Sequence, residues 1–214
     1  MPNKITIIDS GIGNLLSIAR ALEMIGAEIE LASDAESIAK AGHLILPGVG
    51  AFAAGMEGLH GQDLNTAVIE HVQSGNPLLG ICLGMQMLMS SSEEHGTHQG
   101  LNLIPGHVRQ IHKTTVEGEK HKIPHIGWNA LQPPTDEQSW KNTILGHTGP
   151  GDAVYFVHSF AVTPDSPNDA LAVTYYGGHQ ITAVVNHGNV YGCQFHPEKS
   201  GEVGLNILKQ FIQI

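Results

Sequence analysis

Strand-length aliphatic runs alternate with helix-length segments through the first 90 residues, and few architectures satisfy that alternation. "KITIID" (4–9), "EIELA" (28–32), "HLILP" (43–47) and "PLLGI" (77–81) read as strands. Between the first two, Asn14 or Ser17 can cap a helix that runs to about Ile25 and ends at Gly26. Asp34 can cap a short helix, and a further helix is expected from Asp63 to Gly75. "PGVGAFAAG" (47–55) reads as a glycine-rich loop. Strand–helix repetition of this kind predicts a parallel sheet with helices on both faces.

After about Gly106 strands dominate: "HVRQI", "VYFVHSF", "LAVTYY", "QITAVVN" and "NVYGCQF", with "HGN" (187–189) as a hairpin turn. A closing helix is expected over about 202–212, with Leu205, Leu208, Phe211 and Ile212 on one face. No long linker or internal repeat interrupts the 214 residues, so residues 1–214 are expected to form one α/β domain with an antiparallel extension.

Charge and composition narrow the function. A net charge of −10 argues against nucleic acid, which calls for clustered Lys and Arg. Charged residues make up only 14 %, leaving much uncharged surface for a partner to cover. The 14 histidines are scattered, without HxH, HExxH or paired CxxC spacing, so no metal is expected. Two cysteines do not make a disulfide framework, no apolar run reaches membrane-span length, and the start "MPNKITIIDSGIGN" has no signal-peptide pattern. A reducing, cytoplasmic location is the expectation.

One of those cysteines sits in "GICLGMQ" (80–86), between an expected strand and a helix. A nucleophile at such an elbow is pushed to the carboxyl edge of the sheet. Gly80 and Gly84 would let the crowded backbones approach. The helix start favours a thiolate at Cys82, and the Leu83 N–H is free to face an oxyanion. The plainer alternative is a small buried hydrophobe, which is how Cys193 is read.

A nucleophilic thiol needs a base and an orienting group. "QFHPEKS" (194–200) offers both: Pro197 would keep His196 extended, so that Glu198 projects to the same side and holds the imidazole. "LPGVGAF" (46–52) also follows a strand. Gly48 and Gly50 allow its N–H groups to turn toward a ligand, with Val49 or Gly50 as a second oxyanion donor. Taken alone, that stretch reads better as a plain turn; the other two motifs give it a role.

GxCxGxQ with a distant His-Pro-Glu resembles the class I (triad) glutamine amidotransferases. Within that class the chain resembles the glutaminase subunits of imidazole glycerol phosphate synthases. The closer likeness rests on "GIGNLLS", "PGVGAF", "GICLGMQ", "PHIGWN", "YFVHSF" and "FHPEKS", which lie in order along nearly the whole chain. Ser10 departs from it, standing where an aromatic is frequent in that family. The resemblance implies a single-domain flavodoxin-like α/β fold, a mixed central sheet flanked by helices with an antiparallel extension. It implies Cys82 as nucleophile, His196 as acid and base, Glu198 as orienting group, and an oxyanion hole from Leu83, Val49 and Gly50. Gly48, Gln86, Ser159 and Phe160 would hold glutamine, with no cofactor. The implied partner is a (β/α)₈-barrel cyclase subunit in a heterodimer that receives ammonia. Asn14, Trp128 and Lys199 are the candidate interface residues, although Trp128 also reads as a core aromatic and Lys199 as a solvated lysine.

Three other readings stand beside this one. The chain could serve another ammonia-using synthase, for pyridoxal phosphate or surface-sugar amidination. It could be a cysteine peptidase, or a binding scaffold without catalysis, for which a complete triad would have no use.

Overall fold

The structure, a computed structural model, describes residues 4–214. The first half runs β1 (Lys4–Ile8), α1 (Leu15–Met24), β2 (Glu28–Ala32), α2 (Ala35–Ala39), β3 (His43–Gly48), α3 (Phe52–His60), α4 (Leu64–Gln73), β4 (Leu78–Cys82) and α5 (Leu83–Met87). Then come β5 (Met89–Ser92), β6 (His98–Gln99), β7 (Ile104–Gln110), β8 (His125–Ala130), β9 (Ala153–His158) and β10 (Phe160–Pro164). The chain closes with β11 (Ala170–Tyr176), β12 (His179–His187), β13 (Val190–Cys193) and α6 (Gly201–Phe211).

Seven strands form the central sheet in the order β11-β12-β13-β4-β3-β1-β2. From β2 to β13 neighbouring strands are parallel, and β12 and β11 add an antiparallel edge. The mixed α/β sheet matches the expected fold class. Alternate residues of each parallel strand serve opposite faces, as the pleat requires. Ile45, Leu79 and Ile81 join the core under α1 and α6, which holds Leu22, Leu208 and Phe211. Leu44, Leu46 and Leu78 join the core under α2 to α5, which holds Phe52, Leu59 and Val68. Burial on both faces is why these strands read as continuous apolar runs.

Asn14 and Asp34 cap α1 and α2, accepting from Ser17 N (3.3 Å) and Ser37 N (2.8 Å). Two local expectations are corrected. Asp63 precedes α4 in a left-handed conformation (φ +55°) and makes no side-chain cap. The glycine-rich stretch becomes helical at Phe52, because its later glycines mark close packing instead of a loop. A Cβ on Gly55 would stand 2.7 Å from the Met87 sulfur, and one on Gly58 2.6 Å from the Ser10 carbonyl oxygen.

Two smaller sheets stand beside the central one: β10-β7-β5-β6, and the antiparallel pair β8-β9. In that pair His125 lies opposite His158, and Trp128 opposite Tyr155. The sheet's carboxyl ends at β3, β4 and β13 lead directly into the three segments singled out in the sequence, the usual place for a ligand in an open α/β sheet.

Candidate active site

Cys82 ends β4 and precedes α5 with φ +56° and ψ −109°, a conformation a non-glycine residue adopts at a cost of about 1–3 kcal/mol. The turn closes because its glycines admit neighbouring backbone. A Cβ on Gly80 would come within 2.7 Å of Met85 N, and one on Gly84 would overlap the Leu46 carbonyl oxygen. The elbow leaves Cys82 8 % exposed, at the floor of a cleft of about 380 Å³. Cys193, at the end of the adjacent β13, is fully buried, and burial pushes its thiol well above the ordinary range.

Beyond β13 the chain brings His196 and Glu198 together. His196 Nδ1 lies 2.8 Å from Glu198 Oε1, and both side chains are almost wholly out of solvent. The expected extended segment is corrected here. His196 is extended (φ −98°, ψ 99°), but Pro197–Lys199 form a 3₁₀ turn, and it is this turn that brings the carboxylate back to the imidazole. Ser200 fixes the turn. Its hydroxyl donates to His196 O (2.7 Å) and accepts from Tyr155 N (3.0 Å), while His196 N donates to Tyr155 O (3.0 Å).

Burial opposes a charged His196, but the neighbouring Cys82 sulfur and Glu198 carboxylate outweigh it and raise the imidazole to about 9. With Nδ1 turned to Glu198, the other ring nitrogen is the one left for chemistry. Among the described residues, His196 Nε2 and Glu198 Oε2 are buried and find no hydrogen-bond partner.

Val49, Gly50, Leu83, Gln86, Ser159, Phe160 and Lys199 line the same cleft as Cys82 and His196. Val49 is 43 % exposed, and Gly50 takes φ +101°, which glycine adopts freely. Gly48 does not line the cleft. It is buried where β3 passes α5, and a Cβ there would stand 3.0 Å from that of Leu83. Asn14 is the exposed cap of α1, and Trp128 is 58 % exposed, set edge-on to Tyr155 and close to Gly201.

Residues in and just behind the cleft were also missed from the sequence, among them Glu94 and His158 in its lining and Gln194 behind it. Gln194, fully buried, points its amide nitrogen at the Cys82 sulfur (3.9 Å). Glu94 accepts from Phe52 N (2.6 Å), capping α3 where Ala51 cannot and tying down the loop that carries Val49 and Gly50. His158 lines the cleft behind Phe160. Gln194 and His158 lie inside the quoted "QFHPEKS" and "YFVHSF"; only contact geometry gives them a place. Among the described residues no group of three or more His, Cys, Asp and Glu could hold a metal ion, and no helix is long and apolar enough to cross a membrane.

The family model for glutamine amidotransferase class-I matches residues 6–214. Imidazole glycerol phosphate synthase subunit HisH 1 of Legionella pneumophila (strain Paris) is 50 % identical over 212 residues, covering 99 % of this chain and 100 % of the relative. The HisH subunit of Geobacillus sp. (strain WCH70) is 45 % identical over 210 residues, covering 98 % of this chain and 96 % of the relative. Among solved structures, PurLQS from Thermotoga maritima superposes with a TM-score of 0.73 over 100 % of this chain and 99 % of the other. At 18 % identity, that likeness speaks to the fold alone.

Proposed function

Since the chain belongs to the class I glutamine amidotransferase family, and within it to the HisH subunits of imidazole glycerol phosphate synthases, we propose that it releases ammonia from glutamine through Cys82, His196 and Glu198. The observation that carries this reading is the strained Cys82 elbow opening into the same cleft as a buried His196–Glu198 pair.

His196, raised to about 9, already holds the proton given up by the Cys82 thiol, and the sulfur attacks the side-chain carbonyl carbon of glutamine. The tetrahedral oxyanion is held by N–H groups of Leu83 and the Val49–Gly50 segment. Collapse breaks the C–N bond. His196 returns the proton to the leaving nitrogen, and ammonia departs from a γ-glutamyl thioester. His196, now neutral, draws a proton from water as its oxygen adds to the thioester carbonyl; collapse breaks the C–S bond, His196 shares that proton with the leaving Cys82 sulfur, and glutamate departs. Glu198 holds the imidazole through Nδ1 and stabilises its cation. Gln86 and the Ser159–Phe160 backbone hold the amino-acid end of the substrate.

Ammonia in water at neutral pH is mostly ammonium, which is not a nucleophile. A closed passage to a (β/α)₈-barrel cyclase subunit, paired as a heterodimer in the cytoplasm, keeps it reactive. The exposed Trp128, together with Asn14 and Lys199, is our choice for that interface. Coupling then calls for a quiet free subunit, and the peptide before Gly50 can rotate between presenting a carbonyl and an N–H at little steric cost.

The test is glutamate release from glutamine by the chain alone and with the cyclase subunit and its ribonucleotide ligand. The expected result is a low rate alone and a large rise in the complex. High activity indifferent to the cyclase would keep the glutaminase chemistry and overturn the partner.

A further inference from the structure

Two motifs named in the sequence, "PHIGWN" and "YFVHSF", supply a buried histidine pair that the chemistry above does not use. His125 and His158 face each other across the β8–β9 ladder, with Nδ1 of His125 3.0 Å from Nε2 of His158. On the cleft side, His158 Nδ1 lies 2.8 Å from Phe160 O. On the far side, Asn129 Nδ2 lies 3.4 Å from His125 Nε2.

Backbone groups at both ends fix every proton in this chain. A carbonyl only accepts, so His158 Nδ1 carries hydrogen. Neutral His158 then presents a lone pair at Nε2, and His125 must donate to it from Nδ1. His125 Nε2 is therefore an acceptor and meets the Asn129 amide nitrogen. That amide is itself oriented: its nitrogen donates to Tyr175 O (2.8 Å), and its oxygen accepts from Ala130 N (3.1 Å). One neutral arrangement satisfies all these bonds, with hydrogen on Nδ1 of both rings.

The surroundings keep both rings neutral. His125 is stacked between Tyr176 (centroids 4.1 Å apart) and Phe156 (4.9 Å). Burial pushes it down to about 4, and neighbouring His121 adds to the effect. Burial does the same to His158, against the pull of the Phe160 carbonyl and with help from His125 and His196.

The chain continues to the nucleophile. Phe160 O also accepts from Gln86 Nε2 (3.1 Å), whose second hydrogen goes to Gln194 Oε1 (3.1 Å). Gln194 Nε2 in turn approaches Cys82 Sγ. With both amide hydrogens of Gln86 committed, its oxygen is the valence left for a ligand in the cleft it lines.

We propose that His125, oriented by Asn129, is a positioning residue that fixes the tautomer of His158 and thereby holds Phe160 O and Gln86 in the geometry that receives glutamine. The proposal rests on the glutaminase reading above.

Two variants separate the donor from the packing. His125→Phe keeps an aromatic ring between Tyr176 and Phe156 and removes the hydrogen on Nδ1. His125→Asn gives up the ring and keeps an amide donor near the Nδ1 position. In the complex with the cyclase subunit and its ligand, His125→Phe is expected to raise KM for glutamine about tenfold, the worth of one buried hydrogen bond, with kcat nearly unchanged. His125→Asn is expected to restore most of that loss. Equal KM values for wild type and His125→Phe, or a fall confined to kcat, would overturn the proposal. A second readout needs no variant to fold: ¹⁵N NMR of the imidazoles in the wild-type chain. Both rings are expected as neutral Nδ1–H tautomers, and an Nε2–H tautomer or a cation at either one at neutral pH would overturn the proposal. Absence of turnover in the wild-type complex would instead overturn the glutaminase reading, while the tautomers would still be read independently.

Discussion

Two buried pairs, each built on a histidine that lines the cleft, are driven in opposite directions. His196 rests on the Glu198 carboxylate beside the Cys82 sulfur and is raised to about 9. His125 and His158 rest on each other and are lowered to about 4. All three rings lose the hydration of their charged form; the partner decides the outcome. The Cys82 sulfur and the Glu198 carboxylate compensate the cation left in the low dielectric, whereas a second imidazole, which supplies no opposite charge, leaves the neutral form favoured. In the proposed reaction the first imidazole moves protons, while the other two hold theirs in place.

The largest effect expected from breaking the active pair lies at the sulfur. Cys82→Ala should lower glutamate release in the complex by roughly 10⁴-fold or more. Its thermal midpoint should stay close to that of the wild type, since alanine fills nearly the same space. Retained turnover would move the nucleophile elsewhere; Cys193, buried in β13, is a poor substitute.

Glu198→Gln comes next and addresses the charge directly. The amide can still accept a hydrogen bond from His196 but does not compensate a cation. We expect kcat to fall roughly 10²- to 10⁴-fold, and the imidazole titration followed by NMR to move down from about 9. A titration that stays near 9 would assign the raised affinity to the Cys82 sulfur alone.

The two pairs were not equally legible. His196 and Glu198 stand two residues apart in one motif, and Cys82 announces itself by the glycines around it, so local sequence was enough to bring out the proposed catalytic residues. Even there the local conformation differed: a 3₁₀ turn makes the contact that an extended chain was expected to make. His125 and His158 are 33 residues apart and meet only because β8 and β9 pair in a particular register. Strand pairing across a long connection leaves no periodic signature in either strand. The parallel half of the sheet was legible because burial on both faces writes continuous apolar runs. The helix at Phe52 was hidden because Gly55 and Gly58, chosen for close packing against Met87 and Ser10, look like loop residues in isolation. Glu94, which caps that helix from 42 residues away, carries no local signal at all.

The smallest expected effect is also the one that sets the two pairs against each other in a single measurement, the pH dependence of thermal stability. As pH falls from about 6.5 toward 4, the unfolded chain takes up protons that native His125 and His158 refuse. The unfolded state then binds more protons, and stability falls on the acid side. Burial holds His43 and His71 below the ordinary range too, so they add to the same limb. His196 acts with the opposite sign. Its contribution is fully present below about 6.5 and is lost as pH rises through about 9, where the native chain releases a proton the unfolded chain has already lost. Melting curves from pH 4 to 10 should therefore decline on both sides. The changes should be of several degrees, since about 1 kcal/mol moves the midpoint of a chain this size by about 2–4 °C. His125→Phe removes one titrating ring among its neighbours Asn129, His121, Tyr176, Phe156 and His158, and should flatten the acid limb while leaving the alkaline limb intact. Glu198→Gln should do the reverse. If either variant flattened both limbs, the two pairs would be titrating as one coupled cluster, and the division between a mobile proton at His196 and fixed protons at His125 and His158 would fail.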